Sequence, residues 1–137
     1  MKSITLLLGL LLFSYTSRSQ SKNYNVVFDI SSADSVSQQA VIREVDIIKS
    51  ENPDAKLEVV IYGQALGLAI KERSGYAPAI QKLLTMKDVS FKVCAITMKR
   101  NNVGVTSLLP GVQTVPDGIY EIISKQREGW GYIKVAH

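Results

Sequence analysis

The chain has 137 residues, enough for one small domain and too few for two independent cores. Hydrophobic residues make up 46% and charged residues 20%, the balance of a folded chain and not of a disordered one. Its one cysteine, Cys94, excludes an intrachain disulfide and a cysteine zinc site. Its one histidine is the terminal His137, so Ser-His or Cys-His nucleophilic pairs and histidine-rich metal sites have no anchor, and neither metal nor cofactor is implied.

The chain opens with a short positive region, Met1-Lys2, followed by an uncharged apolar run over residues 4–13 and a polar stretch ending Ser17-Arg18-Ser19. A membrane span needs roughly 20 apolar residues, about twice this run. The pattern is that of a secretory signal with cleavage after Ser19 or Gln20, leaving a single domain over residues 20–137. With no cysteine at the cleavage boundary there is no lipoprotein anchor, so no membrane attachment is expected after cleavage, and the protein is expected to be exported, periplasmic or secreted. Loss of Lys2 and Arg18 lowers the formal net charge from +4 by two, too mild a balance to argue for nucleic acid or anionic membrane. An unpaired cysteine in an exported chain is buried, reactive or bonded to another molecule.

Residues 24–30 are β-rich and nearly continuous in apolar character, as buried parallel strands are. Ser35 and Gln38 have capping-box spacing, Val41, Val45 and Ile48 form a helical stripe, and Asn52-Pro53 stops the helix. A second strand over residues 57–62 is broken by Gly63. A short helix carrying Leu66, Leu68, Ala69 and Ile70 follows, and then a helix over residues 77–86 with Pro78 in its first turn. Residues 89–95 form a third strand, Thr97 caps a short helix running through Asn102, and residues 112–115 form a fourth strand. Asp117 caps a last helix over residues 119–127, and residues 129–135 form the last strand, with Trp130 and Tyr132 on one face as core or subunit-interface packing. Strands alternating with helices predict a parallel sheet covered on both faces.

Ligands of such sheets bind beyond the carboxyl ends of the strands. Those ends carry Ser31 and Ser32, then Gly63-Gln64-Ala65, then Cys94 to Thr97, then Pro116-Asp117-Gly118. Cys94 is the one strong nucleophile among them. A following helix start, with Lys99 and Arg100, would favour its thiolate, whereas Val93-Cys94-Ala95-Ile96 also reads as core. Gly63-Gln64-Ala65-Leu66-Gly67 lacks the full dinucleotide fingerprint and reads as a strand-to-helix turn. Asp29, inside a strand, and Asp34, beside a helix start, read as structural.

Phe91-Lys92-Val93-Cys94-Ala95-Ile96-Thr97-Met98-Lys99-Arg100, followed by Leu108-Leu109-Pro110-Gly111-Val112, resembles the DsrE/DsrF-like family. So do the closing Gln126-Arg127-Glu128-Gly129-Trp130-Gly131-Tyr132-Ile133 and the opening strand with its serine-containing loop. The resemblance implies a flavodoxin-like, three-layer α/β/α domain with a mainly parallel five-stranded sheet, and assembly into a trimer or hexamer. It also implies a cysteine that carries sulfur as a persulfide for a partner, and Cys94 is the matching residue. Where relatives often read Cys-x-Asn-Thr, this chain has Ile96 in the third position. Where they commonly read His-Gly-Pro-Gly-Leu, it has Tyr62-Gly63-Gln64-Ala65-Leu66. Two functions follow. One is a periplasmic sulfur carrier with Cys94 as persulfide site, Ser31, Ser32, Gln64 and Thr97 near the pocket, Lys99 and Arg100 stabilising the anion, and a sulfur-donor or thiol partner protein. The other is a non-enzymatic, oligomeric small-ligand-binding module in which Cys94 is core.

Overall fold

The computed structural model describes residues 24–136, so the expected signal segment lies outside the described residues. The strands are β1 (Asn25–Ile30), β2 (Lys56–Ile61), β3 (Val89–Cys94), β4 (Gln113–Val115) and β5 (Gly131–Val135). The helices are α1 (Ser35–Glu51), α2 (Ala77–Leu84), α3 (Ala95–Arg100) and α4 (Gly118–Arg127), with 3₁₀ turns at Gly63–Ala69 and Val105–Ser107. All neighbouring strands pair parallel in the order β4-β3-β2-β1-β5, the five-stranded α/β architecture expected.

That order decides which face each helix covers. From β1 to β4 the chain steps across the sheet in one direction, and from β4 to β5 it returns past three strands. Right-handed crossovers then put α1 and α2 on one face and α4 on the other. Alternation along the strands does the rest. Val26, Phe28 and Ile30, with Leu57, Val59 and Ile61 and with Val89, Phe91 and Val93, join Val41 and Val45 of α1 and Ile80 and Leu83 of α2 in one buried core. On the opposite face, among the described residues, a small buried apolar cluster joins Val27, Val60 and Ile122, with Tyr62 and Trp130 packed against it.

The expectation of two covered faces therefore holds fully on one side and in part on the other. Tyr132 is exposed beside α4, while Trp130 precedes β5 and packs half-buried on the small cluster. One cap assignment changes here. Asp34, not Ser35, caps α1, its carboxylate accepting from Ser37 N at 2.8 Å, while Gln38 Nε2 donates to Ser32 O. A carboxylate one residue earlier satisfies the orphan N–H without any reach back from Gln38. Asp117 caps α4 as expected, accepting from Ile119 N and Tyr120 N.

Candidate functional site

The site begins where β3 runs directly into α3. Cys94 is at once the last strand residue and the residue that precedes the first turn of α3, with extended backbone angles. Alternation turns its side chain to the α4 face, with Ser90 and Lys92. Gly118, the first residue of α4, sits directly over it. A Cβ built on Gly118 would stand 3.1 Å from Cys94 Cβ and 3.2 Å from Val60 Cγ1, so no larger residue fits without displacing one of them. The absent side chain lets the α4 backbone close on the thiol.

Cys94 is only 5% exposed. Burial by itself pushes the thiol up. Against it stand the Gly118 N–H, the Thr97 N–H and hydroxyl, and the Ile96 N–H, which together hold the thiol below its ordinary value. Two chain segments thus supply donors to one sulfur: the start of α3 and the start of α4. The Thr97 hydroxyl has its own place in this arrangement. Its oxygen accepts from Gly63 N at 3.1 Å, which leaves its proton for Cys94. Thr97 is therefore inside α3 and buried, not the cap that its sequence position suggests; Cys94 holds the capping position.

The remaining candidates separate. Ser31 faces a charged cluster described below. Ser32 Oγ accepts from Asp34 N, a bond that shapes the entry to α1. Gln64 is exposed at the start of the 3₁₀ turn. Lys99 and Arg100 occupy the last turn of α3, exposed and at the opposite end from Cys94, and the main causes of the lowered thiol pKa are hydrogen-bond donors and not these two cations. Five residues of helix carry them roughly 7 Å along the axis. The Ile96 side chain points outward and is exposed, so its contribution to the thiol is a backbone N–H and not an apolar wall.

Residues that sequence reasoning did not single out complete the carboxyl edge on this face. Tyr62 follows β2 with extended angles, so it shares the face of Val60, and its Cβ borders the same point over Gly118 as Cys94 Cβ does. Lys134 Nζ reaches Asp29 Oδ1 at 3.0 Å, Ser31 Oγ at 3.2 Å and the Tyr62 hydroxyl at 3.3 Å, and stands over the Tyr62 ring. The Tyr132 hydroxyl donates to Asp29 Oδ2 at 2.6 Å. Burial works against the Lys134 charge, but the bonds to Asp29 and Tyr62 outweigh it and raise its pKa. The hydrogen bond to Asp29, added to some burial, raises that of Tyr132. Asp29, unusual as a carboxylate within an apolar strand, was the signal available in the sequence.

Deeper under α4, Lys92 Nζ bonds Glu58 Oε2 at 2.8 Å and Glu121 Oε1 at 3.0 Å, and Lys125 Nζ stands 3.9 Å from both carboxylates. Burial raises the Glu58 pKa despite Lys92. Among the described residues no group of three or more His, Cys, Asp or Glu side chains could hold a metal, and no helix is long and apolar enough to cross a membrane.

The profile of the DsrE/DsrF-like family matches residues 14–135. The chain belongs to the DsrE/DsrF-like family. Membership places it in a sulfur-relay-related family. No curated protein matches this DsrE/DsrF-like chain. Among solved structures it is similar to the protein of unknown function MTH1491 from Methanobacterium thermoautotrophicum, at 29% identity and a TM-score of 0.76, covering 81% of this chain and 98% of that one. It is also similar in fold to the ychN protein from E. coli, at 15% identity and a TM-score of 0.65, covering 80% and 96%. The conserved protein of unknown function BT1422 from Bacteroides thetaiotaomicron shares the fold at 12% identity and a TM-score of 0.68, covering 85% and 98%.

Proposed function

We propose that this DsrE/DsrF-like protein is a sulfur carrier with Cys94 as its persulfide site. What supports the reading most is the seating of Gly118 over Cys94 at the start of α3, which brings the Gly118, Thr97 and Ile96 N–H groups and the Thr97 hydroxyl toward one thiol and lowers its pKa despite burial. Donors fixed by backbone need no rearrangement when the anion forms. In the transfer step the Cys94 thiolate attacks the terminal sulfur of a persulfide donor, R–S–S⁻. A new S–S bond forms, the donor's S–S bond breaks, and the electron pair leaves on the donor thiolate, R–S⁻. An acceptor thiolate then takes the same sulfur from Cys94 by the same exchange in reverse.

Intact-mass measurement after exposure of the native protein to a sulfane donor tests this. The expected product is heavier by one sulfur atom, returns to the starting mass on reduction, and is absent from Cys94→Ala. Native protein that gains no sulfur, and whose thiol alkylates only after unfolding, would instead make Cys94 a core residue of a ligand-binding module, the reading its 5% exposure favours.

Assembly and export belong to the same proposal. Exposed Ile119, Tyr120 and Ile123 on α4 support a homo-oligomer, a trimer or hexamer. Light scattering that gave a monomer would remove it. Export rests on residues 1–19, and an intact Met1 on the isolated protein would remove that.

A further inference from the structure

The lysines bonded on the α4 face have different degrees of freedom. Lys92 is held between two carboxylates with its side chain 19% exposed, and Lys125 packs near the same pair and over the Trp130 ring. Lys134 has a side chain 43% exposed, while the Asp29 side chain beneath it is 7% exposed. A group arriving from solvent therefore meets the ammonium before its counter-ion.

The three ammonium protons have three acceptors: Asp29 Oδ1, Ser31 Oγ and the Tyr62 hydroxyl oxygen. Both hydroxyls accept from a cation, which polarises them, and each keeps its own proton to donate. Ser31 and Tyr62 are half-buried at the carboxyl edge of the sheet, where ligands of parallel sheets bind. An exposed ammonium flanked by two hydroxyls with unspent donors is an arrangement that suits an anionic oxygen.

Tyr62 links this cluster to the thiol. Its Cβ borders the point over Gly118 that Cys94 Cβ also borders, and its hydroxyl touches Lys134. The cluster is thus separated from Cys94 by about one tyrosine side chain. We infer that Lys134, Ser31 and Tyr62 form an anion subsite beside Cys94, selecting sulfur donors that carry a carboxylate or sulfonate a few bonds from the reacting sulfur. This rests on Cys94 being the reacting thiol.

Two disulfide probes test it, since each releases an absorbing product when Cys94 attacks: dianionic dithiobis(nitrobenzoate), which gives a coloured thiolate, and neutral dithiodipyridine, which gives a pyridinethione. Each rate on native protein is divided by the rate on a small free thiol, and the ratio of the two results reports charge selection alone. The wild-type protein should favour the anionic probe, and Lys134→Gln should lower the ratio about five- to tenfold, as loss of one partly solvated charge does. Added salt should erode the wild-type preference. Lys134→Gln leaves Asp29 buried without its cation, so Tyr62→Phe, which keeps that ion pair, serves as the second variant, with an expected loss of about two- to threefold for one hydrogen bond in a wet site. An unchanged ratio in both variants overturns the subsite and leaves the sulfur-carrier reading standing. Failure of both probes to react before unfolding overturns the carrier reading and the subsite with it.

Discussion

Strand β3 shows the contrast between the two faces of the sheet within six residues. Val89, Phe91 and Val93 point into the core beneath α1 and α2, while Ser90, Lys92 and Cys94 point under α4. β2 does the same with Leu57, Val59 and Ile61 against Glu58 and Val60, and β1 with Phe28 and Ile30 against Asp29. One face is dry and continuous, so its stability comes from area removed from water and close packing. The other face has a small apolar cluster set among ion pairs, and its energetics depend on whether each buried charge keeps its partner. The candidate site is on the second face. A wholly apolar face offers no donors for a thiolate, whereas the α4 face brings helix N–H groups, a hydroxyl and charges into reach of the strand ends.

The largest expected effect breaks the first face. Phe91, with no exposed surface, should cost about 3–5 kcal/mol when cut to alanine, and the cost should hold across pH because no titrating group is involved. Urea denaturation at several pH values measures it.

Its neighbour on the other face should behave differently. Lys92→Met leaves Glu58 and Glu121 facing one another with Lys125 at 3.9 Å, and about 2–3 kcal/mol should be lost at neutral pH. That cost should shrink as pH falls and the carboxylates take up protons. Wild-type Glu58 already leans this way. Burial raises its pKa above the ordinary 4.5, so the folded protein holds that proton more tightly than the unfolded chain does. The contribution of Glu58 favours folding below that ordinary value and is lost as pH rises through the raised one, while the lowered pKa of Glu121 opposes it. A Lys92→Met penalty equal at pH 5 and pH 8 would show that the carboxylates do not govern this face.

The smallest change sharpens the comparison at the site itself. Thr97→Val keeps the shape of a buried side chain but removes the acceptor for Gly63 N and the donor to Cys94. It should cost about 1–2 kcal/mol, as one buried hydrogen bond does, and raise the apparent pKa of native thiol alkylation. Stability lost with no movement of the alkylation profile would confine Thr97 to holding the loop.

Much of this was legible in the chain. β1 and β2 are nearly continuous apolar segments because central parallel strands are covered by other structure, and Asp117 caps α4 because a carboxylate before a helix has a local partner to find. Cys94 at the end of β3 followed from the same pattern, and Lys99 and Arg100 were placed near it by sequence distance alone. Helix rise carries them away, and the donors that do reach the sulfur come in part from Gly118, a residue 24 positions later.

Local sequence determines periodicity, breaks and caps, since these are interactions among residues a few positions apart. It determined here that the chain alternates strands with helices and that one cysteine closes the third strand. The pairing of Asp29 with Lys134, 105 residues apart, depends on β5 returning to lie beside β1. So does the nearness of Lys134 to Tyr62, 72 residues away, and the seating of Gly118 over Cys94 depends on α4 crossing back over the opposite face. Only the strand order β4-β3-β2-β1-β5 decides those meetings, because a charge finds its partner through the register of neighbouring strands and not through its place in the chain.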